Sequence, residues 1–113
     1  MDAIIDRRQA SIPTASGAAD MEAHAAEAAA MLRLLASERR LTVLCTLIVE
    51  GEAPVGRLAK RAGLSQPAMS QHLAKLREDG LVATRREGTT IHYRIADPRV
   101  AKIMATLQEI FCP

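Results

Sequence analysis

The sequence predicts a mainly α-helical domain carrying one small β-hairpin. Three observations predict it. Helix-forming stretches with apolar residues at helical spacing fill most of the chain, Ser, Asp, Gly and Pro punctuate them as caps, and two short β-branched segments flank a Gly-containing turn between residues 81 and 95. At 113 residues the chain has room for one compact domain and none for a multi-domain enzyme. Hydrophobic residues make up 49%, yet 21 residues are alanine and only Tyr93 and Phe111 are aromatic, so one copy has a thin core of large side chains. Apolar surface buried between two copies remedies this, and a homodimer is expected.

The elements follow in order. Met1 to Ala19 mixes Pro13, Gly17, Ser11, Ser16 and Thr14 without a sustained period and reads as a flexible arm; residues 20–113 form the domain. Asp20 suits the N-cap of an alanine-rich first helix ending in Met31, Leu32, Leu34 and Leu35. Ser37 caps a second helix, with Leu41, Leu44, Cys45 and Ile48 on one face and Gly51 as its stop. Pro54 suits the first turn of a short third helix through Val55, Leu58, Ala59 and Ala62, ending at Gly63. Ser65 then caps a fourth helix whose Met69, Leu73 and Leu76 form the buried stripe, closing at Asp79 and Gly80. Leu81 to Arg86 and Thr90 to Ile95 pair around Glu87-Gly88-Thr89 as a hairpin. Asp97-Pro98 opens the last helix, with Val100, Ile103, Met104, Leu107, Ile110 and Phe111 on one side.

This order, helix, helix, short helix, helix, hairpin, helix, is that of a winged helix-turn-helix, the hairpin being the wing. Charge agrees with a polyanion partner. Arg57 to Arg94 holds eight Lys/Arg against three acids, while the rest of the chain holds seven against ten. The fourth helix presents short polar side chains that fit the major groove, where Gln can pair with adenine and Ser with backbone or base edges, while Arg85 and Arg86 can meet phosphates. Double-stranded DNA is the expected partner.

Other classes find little support. No run of about 18 apolar residues spans a membrane, and Met1 to Arg8 lacks a signal peptide's apolar region, so a cytoplasmic protein is expected. There is no CxxC, no Gly-rich phosphate loop and no Ser/His/Asp grouping, so an enzyme is not expected, and no cofactor is implied.

The stretch SQPAMSQHLAKLREDGLVATRREGTTIHYRI resembles the DNA-binding half of ArsR/SmtB-type repressors, and the resemblance extends from about Ala30 to Cys112. It implies a homodimer through the first and last helices that releases operator DNA when a sensor site is occupied or modified. By position, it implies that Ser65, Gln66, Ser70, Gln71 and His72 lie where the recognition helix meets DNA, and Arg86 to Thr90, with Thr89 and Thr90 at the tip, where the wing does; Lys75 on the polar face of the fourth helix and Arg85 on the hairpin join them by their own charge and placement. Sensor chemistry differs within that family. The third helix has no cysteine for soft-metal or arsenic binding, and the last helix has no histidine for zinc, so no metal site is expected. His24, His72 and His92 lie on separate elements and read as surface or packing residues.

Cys45 and Cys112 remain. LTVLCTL and LQEIFCP are similar to the persulfide-sensing branch of the family, the sulfide-responsive and biofilm growth-associated repressors. That resemblance implies that persulfides or polysulfides act as inducers. It implies that they bridge the two thiols of one subunit by a disulfide or polysulfide, and that sulfide-detoxification genes are then derepressed. A direct disulfide needs Cα atoms within about 7 Å, whereas added sulfur spans more. The residues alone leave alternatives open: Cys45 as a small core hydrophobe, a general thiol-oxidation switch, a metal-responsive repressor of atypical site, or an architectural binder indifferent to redox state.

Overall fold

The structure, a computed structural model, describes residues 15–112. Its elements are α1 (Ala15–Ala23), α2 (Ala25–Leu35), α3 (Glu38–Glu50), β1 (Ala53–Pro54), α4 (Val55–Ala62), α5 (Gln66–Glu78), β2 (Val82–Glu87), β3 (Thr90–Ile95) and α6 (Pro98–Phe111). The chain divides near Leu35 into two units, each described by itself.

In the first unit, helix begins at Ala15, so Asp20 lies inside α1 and is not the expected cap, and residues 15–19 of the expected arm are helical. Alanine's high helix propensity accounts for the early start. Residues 1–14 of that arm lie outside the described residues. The expected single first helix is interrupted only at His24, whose N–H reaches the carbonyls of Asp20 and Met21 at 3.1 Å each. The His24 ring lies 3.2 Å from Glu27.

The second unit is built around α3, which packs on α4, β1, β3 and α6. Ser37 caps α3 as expected, its hydroxyl accepting from the Arg40 N–H at 3.3 Å. The buried face, however, is Val43, Leu44 and Leu47, whereas Leu41, Cys45 and Ile48 are only half-buried. The expected apolar stripe is rotated because sheet and α4 take one side of the helix and α6 another. Leu58 of α4, Met69, Leu73 and Leu76 of α5, Leu81 and Val82 beside the wing, and Val100 and Met104 of α6 complete the core.

Between α4 and α5, Gly63 adopts a left-handed conformation (φ 67°) and its N–H closes back on the carbonyls of Ala59 and Lys60. A residue with a side chain is strained there. Ser65 then caps α5, accepting from the Ala68 N–H at 3.3 Å. Two further ties fix this bihelical unit against α3, one at the end of α4 and one at the end of α5. Arg39 donates to the Ala62 carbonyl at 3.0 Å, and Arg40 meets Asp79 at 2.8 Å in a half-buried ion pair.

The sheet has three antiparallel strands in the order β1-β3-β2. Sequence reasoning expected only the hairpin and placed Pro54 inside a helix. Instead Ala53 and Pro54 pair with Tyr93 and His92, and Pro54 stands in extended conformation immediately before α4. Proline is tolerated in that edge position because it has no N–H to contribute to a ladder. In the hairpin, Val82 to Glu87 pair with Ile95 to Thr90, leaving a two-residue Gly88-Thr89 loop in which Gly88 has φ 63°. Asp97 caps α6 by accepting from the Arg99 N–H at 2.9 Å. The second unit is thus a winged helix-turn-helix: α4 and α5 form the bihelical turn and β2-β3 the wing.

Candidate thiol site and nucleic-acid interface

The residues expected at a DNA surface occupy one helix and one hairpin. With Met69, Leu73 and Leu76 fully buried, the 3.6-residue period turns Ser65, Gln66, Ser70, Gln71, His72 and Lys75 outward, and all six are exposed. Gln66 has a specific support: a Cβ at Gly56 of α4 would lie 3.2 Å from its Nε2, so the side chain rests against the bare backbone of that glycine. Sequence reasoning had no signal for this contact.

On the wing, Thr89 and Thr90 are exposed at the tip, and Arg85 and Arg86 are exposed on opposite faces of β2. The two arginines differ sharply. Arg85 Nη2 donates to Glu52 Oε1 at 2.8 Å, and its Nε contacts both oxygens of that carboxylate at 3.1 and 3.2 Å. This hydrogen-bonded guanidinium holds the Glu52 carboxyl below its ordinary range, and Arg85 is raised in turn. Arg86 has no partner among the described residues. His92, on β3, is partly buried; its Nε2 lies 3.4 Å from Glu87 Oε1 without a hydrogen bond. His72 is exposed on α5.

The thiols come from α3 and the end of α6, which pack together. Both are free; Cys45 is half-buried and Cys112 exposed. They line one cleft of about 180 Å³, walled by Leu41, Met104, Leu107, Gln108 and Phe111. Leu41 and Cys45 share a face of α3 at the i, i+4 spacing, and Leu107 and Phe111 do the same on α6, with Cys112 accepting the C-cap position. Five of those seven residues are apolar or thiol side chains that the periodicity of the two helices already marked. Phe111 (75%) and Ile110 (62%), on the apolar side of the last helix, are nonetheless exposed. Among the described residues there is no cluster of three or more His, Cys, Asp and Glu that could hold a metal ion.

Sequence reasoning missed a second neighbour of Cys45. Leu41, Thr42, Cys45 and Thr46 also border a cleft on the other side of α3, where Arg61 of α4 forms the far wall. That cleft adjoins a more polar one lined by Ser37, Glu38, Arg39, Thr42, Arg61 and Ala62. The only sequence signal was the basic end of α4, which was read as part of a DNA-binding surface.

Comparison with known proteins accords with this architecture. The model of the arsR family of bacterial regulatory proteins matches residues 37–84, the span from α3 into the wing. The chain is 44% identical over 93 residues to the transcriptional activator HlyU of Vibrio cholerae, covering 82% of this chain and 85% of that one. It is 45% identical over 93 residues to the biofilm growth-associated repressor of Xylella fastidiosa, covering 82% and 81%. The structure of reduced HlyU from Vibrio cholerae superposes with a TM-score of 0.74, covering 83% of this chain and 98% of that one. A homodimeric winged helix-turn-helix DNA-binding domain from Mycobacterium bovis gives 0.65 at 37% identity, covering 80% and 84%. These relatives are regulators of transcription and not enzymes, and no helix among the described residues is long and apolar enough to cross a membrane. With a polar helix and a wing set on the same scaffold, and this degree of identity across four-fifths of its length, the chain belongs to the arsR family of winged-helix, DNA-binding transcriptional regulators.

Proposed function

We propose that this regulator is a thiol-switched repressor: a homodimer through its first and last helices that holds a near-palindromic operator while Cys45 and Cys112 are reduced and leaves it when they are bridged. The inducers are persulfides or polysulfides, the product is a disulfide or a bridge with added sulfur, and the genes released are those of sulfide detoxification. A DNA partner places its action in the cytoplasm, away from membranes. The observation that carries the reading is the shared cleft: residues 67 positions apart in sequence, both free thiols, border one small apolar space.

The chemistry balances in two steps. The Cys45 thiolate attacks the terminal sulfur of a persulfide, R–S–SH, forming Cys45–S–SH and expelling R–S⁻. The Cys112 thiolate then attacks Cys45 Sγ, breaking its bond to the outer sulfur and expelling HS⁻, which leaves the disulfide. If a second persulfide first lengthens the Cys45 chain by one sulfur, the same displacement leaves a trisulfide. The cleft's apolar walls favour a bridge of sulfur atoms over a polar oxidation product.

Linking α3 to the end of α6 bears on DNA through the spacing of the two recognition helices, because half-sites lie about 34 to 36 Å apart. The exposed Ile110 and Phe111 and the homodimeric state of the Mycobacterium bovis relative support a dimer. DNA contact is assigned to Ser65, Gln66, Ser70, Gln71, His72, Lys75, Arg86, Thr89 and Thr90. Arg85, expected to do the same, is engaged by Glu52 and serves the wing's shape first.

The test is operator binding by fluorescence anisotropy at fixed salt, with a non-specific duplex as control. Reduced, organic-persulfide-treated and peroxide-treated protein are compared, with intact mass read on each sample. Release by persulfide together with a sulfur bridge between Cys45 and Cys112 is expected. Equal release by peroxide with loss of two hydrogens makes the protein a general thiol switch. Unchanged binding with both thiols modified overturns the reading.

A further inference from the structure

Cys45 borders two clefts, one almost wholly apolar and one that carries a cationic side chain. On one side is the apolar space it shares with Cys112. On the other is the groove between α3 and α4, walled by Leu41, Thr42, Thr46 and Arg61, which continues past Thr42 and Arg61 toward Ser37, Glu38 and Arg39. Arg61 borders both parts of that groove and makes no hydrogen bond among the described residues. Its charge neighbour Glu50 is already taken by three hydrogen bonds of 2.9 to 3.2 Å from Arg57. Arg39, on the α3 wall, donates to the Ala62 carbonyl and so is engaged. Cys112 has a different second neighbourhood: it borders a shallow cleft with Ala105, Gln108 and Glu109, where the one charged side chain is a carboxylate.

We infer that the groove between α3 and α4 is a docking subsite for the carboxylate of a small thiol persulfide, with Arg61 as its anion-binding residue and Cys45 as the thiol that attacks first. The inference rests on the thiol-switch reading above and specifies its substrate class and its order of events. A carboxylate-bearing donor is drawn to the Arg61 side of α3 and repelled from the Glu109 side of α6. Docked on Arg61, it presents its terminal sulfur to Cys45 across Thr42 and Thr46. The Cys45 thiolate takes that sulfur, the donor departs as its thiolate through the polar groove, and the new Cys45–S–SH group has only the apolar cleft and Cys112 before it. Polar donor and apolar bridge are thereby kept on opposite sides of one residue.

The experiment uses the full chain with Cys112→Ser, which traps sulfur on Cys45, and measures the initial rate of its mass gain. Two donors are compared: glutathione persulfide, which carries carboxylates and net negative charge, and cysteamine persulfide, which carries an ammonium and no carboxylate. Arg61→Ala is expected to slow transfer from glutathione persulfide by about two- to fivefold, the size of one exposed ion pair. Transfer from cysteamine persulfide is expected to stay the same or rise. Arg61→Lys is expected to keep most of the glutathione rate, and Arg61→Glu to reverse the donor preference. Equal slowing with both donors overturns the subsite, since it reduces Arg61 to a shaping role, and so does an unchanged rate with both. If Cys45 takes no sulfur from either donor while Arg61 is intact, although the unfolded chain does, the sensor reading itself fails.

Discussion

Glu52 grips Arg85 at 2.8 Å, while Arg86, the next residue, projects from the opposite face of the strand with no partner among the described residues. Two adjacent arginines therefore have separate duties, one tying β2 to the segment before α4 and the other available to a phosphate.

Arg86→Ala is expected to weaken binding to specific and non-specific duplexes alike and to lower the slope of log affinity against log salt by about one unit, the signature of one lost phosphate contact. Arg85→Ala is expected to leave that slope nearer its original value. A salt titration of both variants decides the matter, and equal slopes contradict the division of roles.

The Glu52 carboxylate, held low by its hydrogen bond to Arg85, contributes stability that is present above the ordinary carboxylate range and is lost as pH falls through its lowered value. Glu52→Gln removes that dependence. Urea midpoints measured from about pH 7 to about pH 3 are expected to show the parent more stable at the upper end and the two proteins converging at the lower. A constant gap across that range contradicts the assignment.

Gln71→Ala is expected to cost about 1–3 kcal/mol of discrimination at one base pair of the operator and to leave the salt slope unchanged. Competition against operators mutated one base pair at a time reads this directly. Uniform weakening across all of them makes Gln71 a backbone contact.

Gly56→Ala crowds the amide of Gln66, whose Nε2 would stand 3.2 Å from the new methyl. Gln66 is exposed and can swing aside, so thermal stability is expected to hold or to gain up to about 1 kcal/mol from helix propensity. Operator preference, by contrast, is expected to change at the base pair that Gln66 reads. A preference identical to the parent's removes Gln66 from the reading set.

Leu73→Ala empties a fully buried position of the recognition helix and is expected to cost about 2–5 kcal/mol in urea unfolding. A loss below about 1 kcal/mol contradicts close packing beneath the helix.

What the sequence made legible follows from periodicity. Ser37, Ser65 and Asp97 each carry a cap that a short polar side chain before an apolar stripe announces, and Met69, Leu73 and Leu76 can face only inward. Pairing between distant segments is a different matter. Ala53-Pro54 is too short to show alternation and becomes a strand only because β3 offers an open edge, so Pro54 was read by its helix-opening habit. The face of α3 was misjudged by one position because a helix flanked on two sides has no single stripe; Val43 and Leu47 are buried as well as Leu44. Cys45 and Cys112 stand out in the sequence as its only two thiols, and the structure sets both at one cleft. Arg61 went unremarked because a cationic side chain beside a thiol is visible only once α3 and α4 are laid together.

The two-residue strand β1 makes the reading surface mechanically one piece. Its pairing with β3 locks the wing to the segment that launches α4, while Arg40 and Asp79 lock α5 to α3. Recognition helix and wing travel together, like two fingers of a splinted hand. Under the proposed switch, a sulfur bridge that leaves the head intact is expected to alter where one whole hand stands relative to the other, and so the register between half-sites, while each half-site is still read with the same grip.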